Sequence, residues 1–257
     1  MPPTLDQVIL GDCLDVLTDS PGAVVDLAYV DPPFNTGRTL TASNGAYRDT
    51  WTSLDDYLNF LGPRLKAVRR VLKPNGSILV HCDWRTCHHL RLMLDNLFGS
   101  ANFVNHLIWS YGLGGSSPRR FARKHDDILF YAKSGGYYFR PPMVPATSNR
   151  MKGQLKKAAD VIEIPAINNM AHERVGYPTQ KPLALLKLLV QACCPPGGVV
   201  LDPMCGSGTT LVAAHQTNRH YLGIDVNPEA IEICASRLGS TTPSSSQCRM
   251  PSAFSSP

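Results

Sequence analysis

Hydrophobic positions along this chain fall into short apolar runs, typical of buried strands, which alternate with longer amphipathic runs, typical of helices. The predicted strands occupy residues 8–10, 24–30, 76–82, 103–111, 127–131, 199–202 and 220–225. The predicted helices occupy residues 53–72, 86–98, 183–194 and the stretch through 211–214, and a last helix opens at 227–229. Such alternation favours a largely parallel sheet covered by helices on both faces. Ser53 is the predicted N-cap of the first long helix, and Pro63 is expected to break or kink it.

The strand at 24–30 ends in the tetrad Asp31-Pro32-Pro33-Phe34. Proline has no backbone N–H and a fixed φ, so the neighbouring carbonyls stay free, and Asp31 offers an acceptor-only carboxylate. An exocyclic amine can donate one hydrogen bond to Asp31 and another to the Pro32 carbonyl, while Phe34 stacks on the ring that bears the amine. An ordinary Asx-Pro turn is the alternative interpretation of the tripeptide alone.

A second motif lies at 199–210, where an apolar strand runs into a glycine turn and then into a helix. Its glycines let a cofactor approach the backbone beside the N–H groups of a helix N-terminus. The next strand ends in Asp225, the position at which nucleotide-binding α/β folds usually hold ribose hydroxyls. Thr209 stands where a phosphate-binding loop needs lysine, and Leu211 stands where a dinucleotide site needs a third glycine. The motif therefore favours an adenosine cofactor without phosphates.

In these motifs and their order, residues 5–238 resemble the amino-group DNA methyltransferases that use S-adenosylmethionine (SAM). In that family a D/N/S-P-P-Y/F tetrad holds the target base, and F/D-x-x-x-G-x-G binds SAM. The tetrad precedes the SAM turn here, as in the permuted class called beta. The resemblance implies an α/β fold with a doubly wound, mostly parallel seven-stranded sheet of the Rossmann-like methyltransferase type. It also implies an antiparallel edge hairpin, formed by the strands at 103–111 and 127–131, and a small inserted recognition region.

The resemblance extends to three further stretches, namely 11–13, 177–182 and the acid at 225 with the helix start that follows it. It assigns the base site to Asp31, Pro32, Pro33 and Phe34. It assigns the cofactor site to Asp12, Cys13, Asp31, Thr179, Gln180, Lys181, Asp202, Met204, Cys205, Gly206, Ser207, Gly208, Thr209, Asp225, Val226 and Asn227. Asp12 is at the same time a predicted helix N-cap.

The same resemblance implies direct transfer, in which the target base is flipped out and its amino nitrogen attacks the SAM methyl without a covalent enzyme intermediate. An acid at position 31 resembles the adenine-N6 enzymes, whereas cytosine-N4 enzymes more often have Ser there. N6 of adenine in DNA is therefore the predicted target, and N4 of cytosine is the alternative. A non-DNA amino methyltransferase, whose tetrad typically begins with Asn, and a non-catalytic DNA-binding remnant are the remaining alternatives.

Positive charge is concentrated between residues 119 and 157, where ten Lys or Arg stand against two acids, so this segment carries +8 and the rest of the chain −3. A solvated face is one interpretation of such a run. Interleaved aromatic residues beside a methyltransferase core favour DNA, since Lys and Arg neutralise phosphates. The predicted DNA contacts are Arg119, Arg120, Arg123, Lys124, Lys152, Lys156 and Lys157. The glycine- and serine-rich run at 112–117 predicts a mobile loop that closes on DNA.

The chain of 257 residues, 43% of them hydrophobic, is long enough for one large core and a small insertion. We expect the catalytic part at 1–134, the target-recognition insertion at 135–175, the SAM-binding part at 176–238, and a disordered, dispensable tail at 239–257. No apolar run approaches a membrane span and no signal peptide is evident, so we expect a cytoplasmic, nucleoid-associated protein. Double-stranded DNA is the predicted partner; a homodimer and a cognate restriction endonuclease are left open, as is the recognition sequence.

Eight cysteines raise the question of metal or disulfides. Structural zinc usually shows two spaced ligand pairs, whereas Cys82 and Cys87 stand beside His88 and His89 without a second pair. We therefore predict no metal site, and buried or free thiols in a reducing compartment. Cys205, inside the SAM turn, is expected to line the cofactor site.

Overall fold

The computed structural model describes residues 5–42, 45–112, 116–146, 150, 152–168 and 171–239. Within this part, the strands are β1 (Gln7–Leu10), β2 (Val25–Val30), β3 (Arg38–Ala42), β4 (Gly45–Asp49), β5 (Leu72–Cys82), β6 (Phe103–Ser110), β7 (His125–Ala132), β8 (Met143–Pro145), β9 (Leu155–Lys157), β10 (Val161–Glu163), β11 (Val199–Asp202) and β12 (His220–Asp225). The α-helices are α1 (Cys13–Asp19), α2 (Leu54–Val71), α3 (Cys87–Phe98), α4 (Leu183–Cys193), α5 (Thr209–Gln216) and α6 (Pro228–Leu238).

The main sheet has the strand order β1-β12-β11-β2-β5-β7-β6-β10. Its pairs are parallel except that β7 runs antiparallel to both β5 and β6. The seven predicted strands are all present, and the doubly wound, mostly parallel α/β fold is confirmed. The predicted number of seven strands is corrected to eight. The additional strand is β10, which pairs with β6 at the hairpin edge of the sheet. Three residues are too few to give a periodic sequence signal.

Two apolar clusters cover the faces of this sheet. On one face α1, α2 and α3 contribute side chains such as Leu17, Leu61 and Leu90. On the other face α4, α5 and α6 contribute side chains such as Leu189, Ala213 and Cys234. The strands between them are buried on both sides, as the uninterrupted burial of β2 shows.

Helix α2 begins as predicted, since the Ser53 hydroxyl accepts a hydrogen bond from the Asp56 amide at 3.0 Å. Pro63 does not end the helix, which continues to Val71. The Arg64 guanidinium donates to the Phe60 carbonyl at 2.6 Å in the same turn, and packing of one helix face against the sheet outweighs the lost backbone bond.

Two small antiparallel hairpins were not predicted. One joins β3 to β4 directly after the tetrad, and the other joins β8 to β9 within the segment at 135–175. None of the helices that the structure describes is both long and apolar enough to cross a bilayer. The predictions for residues 113–115 of the glycine run and for 240–257 of the tail lie outside the described residues.

Candidate functional site

A cavity of about 350 Å³ opens at the carboxyl ends of the central parallel strands. The pairing of Leu201 with Ala28 sets β11 beside β2, so the chain leaves both strands at one edge of the sheet. The pairing of Leu10 with Asp225 does the same for β1 and β12. Ligands bind in this crevice in open α/β sheets. The predicted residues that line the cavity are Asp12, Cys13, Asp31, Pro33, Thr179, Lys181, Asp202, Met204, Cys205, Gly206, Ser207, Thr209, Asp225, Val226 and Asn227.

Four of the residues predicted to contact the base or the cofactor do not line the cavity: Pro32, Phe34, Gln180 and Gly208. The Gln180 side chain instead donates to the Glu173 carbonyl at 2.6 Å and accepts from the Val175 amide at 2.9 Å. Its geometry therefore fits a brace of the loop before α4 rather than a cofactor contact.

The glycine turn is held to the strand that follows it. The Gly206 amide donates to Asp225 Oδ2 at 2.8 Å, and the Cys205 amide donates to the Ile224 carbonyl at 2.9 Å. Gly208 has φ of +73°, and a Cβ there would lie 2.5 Å from the Cys234 sulfur. Glycine at position 208 is thus required by the left-handed turn and by close packing on α6. Gly206 is the one of the two whose backbone faces the cavity.

Asp12 has two roles at the rim of the cavity. Its Oδ1 accepts from the Leu14 amide at 2.8 Å and so caps α1, as predicted. Its Oδ2 forms an ion pair with Arg64, whose guanidinium lies 3.8 Å from the centre of the Phe60 ring. Sequence reasoning missed Arg64 and Phe60, although both line the cavity; their i, i+4 spacing on α2 is the only local signal.

Asp31 is the most informative residue of the site. Lys181 donates a hydrogen bond to its Oδ2 and stands 5.3 Å from the centre of the Phe34 ring. Its Oδ1 is buried and finds no hydrogen-bond partner among the described residues. A buried acceptor without a donor is costly, so this oxygen suits a donor supplied by a ligand.

Burial, together with the charges of Asp31 and Asp225, raises the pKa of Asp202 to about 7. The Met204 amide donates to this carboxyl group at 3.2 Å. Burial also raises the pKa of Asp225, against the opposing effect of backbone amides that donate to it. Burial at one low-dielectric cavity is the main cause of both shifts, and neighbouring acids add to it only for Asp202.

A buried network behind Phe34 was not predicted. The His81 ring lies 5.6 Å from the Phe34 ring, its Nδ1 is 2.6 Å from the Tyr29 hydroxyl, and its Nε2 is 3.2 Å from Asp126 Oδ2. Although burial opposes it, hydrogen bonding and charge from His81, with a further contribution from Lys181, lower the pKa of Asp126. This network gives Phe34 a fixed aromatic support.

The predicted DNA-binding residues fall into two groups outside the cavity lining. Arg119, Arg120, Arg123 and Lys124 lie between β6 and β7, whereas Lys152, Lys156 and Lys157 belong to the β8–β9 hairpin. The Arg123 guanidinium lies 3.4 Å from the centre of the Trp84 ring, which is 45% exposed. Phe121 is 98% exposed. Trp84, which no sequence motif indicated, therefore lies in contact with the first group.

The fold and the cavity define an α/β protein with a nucleoside-cofactor site next to a proline-rich tetrad. The chain belongs to the DNA methylase family N6_N4_Mtase, whose sequence model matches residues 25–236. The resemblance to amino-group DNA methyltransferases is thereby confirmed.

Individual relatives agree with this assignment. The chain is 30% identical to Type II methyltransferase M.HpaI of Haemophilus parainfluenzae, over 92% of this chain and 75% of that protein. It is 28% identical to DNA adenine methyltransferase YhdJ of Escherichia coli (strain K12), over 90% and 82% respectively. The fold superimposes on the crystal structure of the M1.HpyAVI–SAM complex with a TM-score of 0.65 at 21% identity, covering 90% of this chain and 98% of that one.

The Asp202 carboxyl group predicts a pH dependence of stability. Its folded-state pKa of about 7 lies above the ordinary value of 3.8, so the folded protein holds a proton that the unfolded chain releases. This contribution to stability is present below about pH 4 and is lost as the pH rises through about 7. We expect Asp202→Asn to flatten the dependence of the melting temperature on pH in this range, measured by differential scanning fluorimetry. Glu232 is exposed, and Glu232→Gln removes the same amount of charge as Asp202→Asn, so it should leave the slope as in the parent protein. Parallel curves of melting temperature against pH for all three proteins would contradict the assignment.

Proposed function

We propose that this protein transfers a methyl group from SAM to the N6 amino group of a flipped adenine in double-stranded DNA. The observation that carries the proposal is the state of Asp31, with one oxygen held by Lys181 and the other buried with no donor in the part of the chain that the structure describes. This carboxylate lines the same cavity as the glycine turn and Asp225. The amino group of a base and a nucleoside cofactor can therefore bind next to each other at this cavity.

The residues that line the cavity fit SAM, which supplies an electrophilic methyl group on its sulfonium when bound. Asp225 accepts from the backbone amides of Gly206 at Oδ2 and Asn227 at Oδ1, and its carboxylate lines the cavity, where it can accept from a ribose hydroxyl. By the family resemblance, Asp12 faces the adenine end of the cofactor, and Thr179 and Lys181 face its methionine end.

The chain's own residues orient the target base. The free Asp31 oxygen and the Pro32 carbonyl accept the two hydrogens of the amino group, which localises on nitrogen the lone pair that is otherwise delocalised into the ring. Phe34, backed by His81, stacks on the base. The amino group needs no strong base, because its nitrogen can lose a proton after the methyl group is transferred, so proximity and orientation are the main contributions of the site.

Analysis of the methylated product tests the function. Unmethylated phage DNA is incubated with the protein and SAM, digested to nucleosides and separated by mass spectrometry. We expect N6-methyladenine, because an acid opens the tetrad and YhdJ, a relative, is named an adenine methyltransferase. N4-methylcytosine instead would place the protein with the cytosine enzymes of the same class. Methyl groups on protein or small molecules alone would contradict action on DNA.

Asp31 and Asp225 are expected to act on different steps. Asp31→Ala removes the acceptor for the base, so methylation falls by about 10²-fold or more while SAM affinity is largely kept. Asp225→Ala removes the acceptor for ribose, so SAM affinity falls by about 10-fold or more. Isothermal titration with SAM and a methyl-transfer assay at saturating cofactor separate the two effects. Equal loss of SAM affinity in both variants would contradict this division.

We infer that the basic residues between β6 and β7 contact DNA phosphates, with the segment at 135–175 as the target-recognition region. Arg119 and Arg120 are exposed, and Arg123 stacks on Trp84, so cations stand beside exposed aromatic rings on one loop. Such a surface fits a nucleic-acid backbone and unstacked bases. A homodimer, a cognate restriction endonuclease and nucleoid association stay predictions.

A salt titration of DNA affinity tests this surface. For each residue that contacts a phosphate, replacement by Ala should lower the slope of log affinity against log salt by about 0.9. We therefore expect Arg119→Ala and Arg120→Ala to reduce the slope and to weaken binding at low salt, measured by fluorescence anisotropy. Lys66→Ala, at an exposed cation on α2, is the matched control and should leave the slope unchanged. A slope that no loop variant alters would place the DNA elsewhere.

A further inference from the structure

Three metal-ligating side chains meet on the α3 side of the sheet, outside the cavity lining. They are Cys87 at the start of α3, His106 on β6 and Asp127 on β7, and we refer to them as the Cys87 cluster. Their ligand atoms all lie within 4.8 Å of one another. Nothing in the proposed methyl transfer uses these residues.

The geometry of the Cys87 cluster distinguishes a ligand set from a nucleophile with its base. Cys87 Sγ lies 3.7 Å from His106 Nε2, and Asp127 Oδ1 lies 2.7 Å from the same nitrogen. In a thiol–imidazole–carboxylate triad, the thiol and the acid contact different ring nitrogens. Here both converge on Nε2, as the ligands of one ion do.

Cys82 lies next to the cluster without being one of its three ligand residues. Asp127 is paired directly with Cys82 on β5, so both side chains leave the sheet on the same face. The Cys82 thiol is buried and interacts with the Cys87 thiol. A bound cation would displace the proton of the Cys87 thiol, since thiolates are the ligands that metals take.

We propose that Cys87, His106 and Asp127 bind a thiophilic divalent cation, with Zn²⁺ as the best match and water in the fourth position. In tetrahedral zinc sites, sulfur and nitrogen ligands lie about 3.6 Å apart, given bond lengths of about 2.3 and 2.1 Å. The distance from Sγ to Nε2 is 3.7 Å, close to that spacing. The nitrogen–oxygen pair must open by less than about 1 Å to reach tetrahedral spacing. His106, whose side chain is 42% exposed, has room for this movement.

The charge of the Cys87 cluster also favours Zn²⁺. One thiolate and one carboxylate with a neutral imidazole balance a dipositive ion, so the cation brings no net charge into a partly buried site. Zinc combines such sulfur, nitrogen and oxygen ligands, whereas Mg²⁺ and Ca²⁺ prefer oxygen alone. The ion would hold the start of α3 against β6 and β7. These two strands flank the basic loop, which carries Arg119, Arg120, Arg123 and Lys124.

Metal binding to the full-length, tag-free chain tests the proposal. The protein is treated with EDTA, kept reduced with a phosphine, and titrated with Zn²⁺, with bound metal measured by mass spectrometry after gel filtration. We expect about one tightly held ion per chain. Co²⁺ in place of Zn²⁺ should give a thiolate-to-metal charge-transfer band and tetrahedral ligand-field bands. Cys87→Ser and His106→Gln should each weaken Zn²⁺ binding by at least about 100-fold and abolish the rise in melting temperature with Zn²⁺.

The neighbouring histidines supply a matched control. His88 and His89 lie side by side on α3, with ring centroids 3.9 Å apart, and form the rival site for a metal. The double variant His88→Gln, His89→Gln should keep both the zinc and the charge-transfer band. Circular dichroism checks that each variant is folded. The proposal is overturned if the parent binds no zinc, if folded Cys87→Ser and His106→Gln keep full affinity, or if only the His88, His89 variant loses the ion.

Discussion

The parallel register of β1, β12, β11 and β2 is the constraint on which the rest of this structure depends. Each strand delivers an acid to the same edge of the sheet, either at its last residue or within two residues of it: Asp12, Asp225, Asp202 and Asp31. Residues nearly 200 positions apart in sequence thus become neighbours in one cavity. A one-residue slip of any strand would turn its side chains to the opposite face and dismantle the site.

Four acids at one edge repel one another, and three different physical means accommodate them. Asp12 has Arg64 as an ion-pair partner, and Asp31 has Lys181. Asp225 accepts backbone amides of the glycine turn, and Asp202 titrates near neutral pH because burial opposes its charge. Only Asp31 keeps a buried oxygen without a donor among the described residues, so among the four it has the strongest need for a ligand amine.

The sequence predicted the parts of this site that are local and missed those that depend on packing. The tetrad and the glycine turn are contiguous motifs at strand ends, so their meeting followed from the rule for parallel sheets. Arg64 and Phe60 reach the cavity only because α2 packs against α1, α3 and β5, and no local pattern encodes that packing. Gly208 was predicted to contact the cofactor, whereas the close approach that requires glycine there is made by Cys234. Pro63 stays inside a helix because tertiary packing overrides propensity.

The absence of a predicted metal site has the same origin. A sequence indicates structural zinc by ligand pairs that are close along the chain, whereas the residues of the Cys87 cluster come from one helix and two strands. Side chains alternate between faces along β7, so its two adjacent acids lie on opposite faces of the sheet. Asp126 contacts His81 behind Phe34, and Asp127 contacts His106 on the α3 side. The start of one strand therefore carries the acid behind Phe34 on one face and the acid of the Cys87 cluster on the other. Arg123 and Lys124 directly precede β7, so the basic loop between β6 and β7 joins the sheet next to both networks.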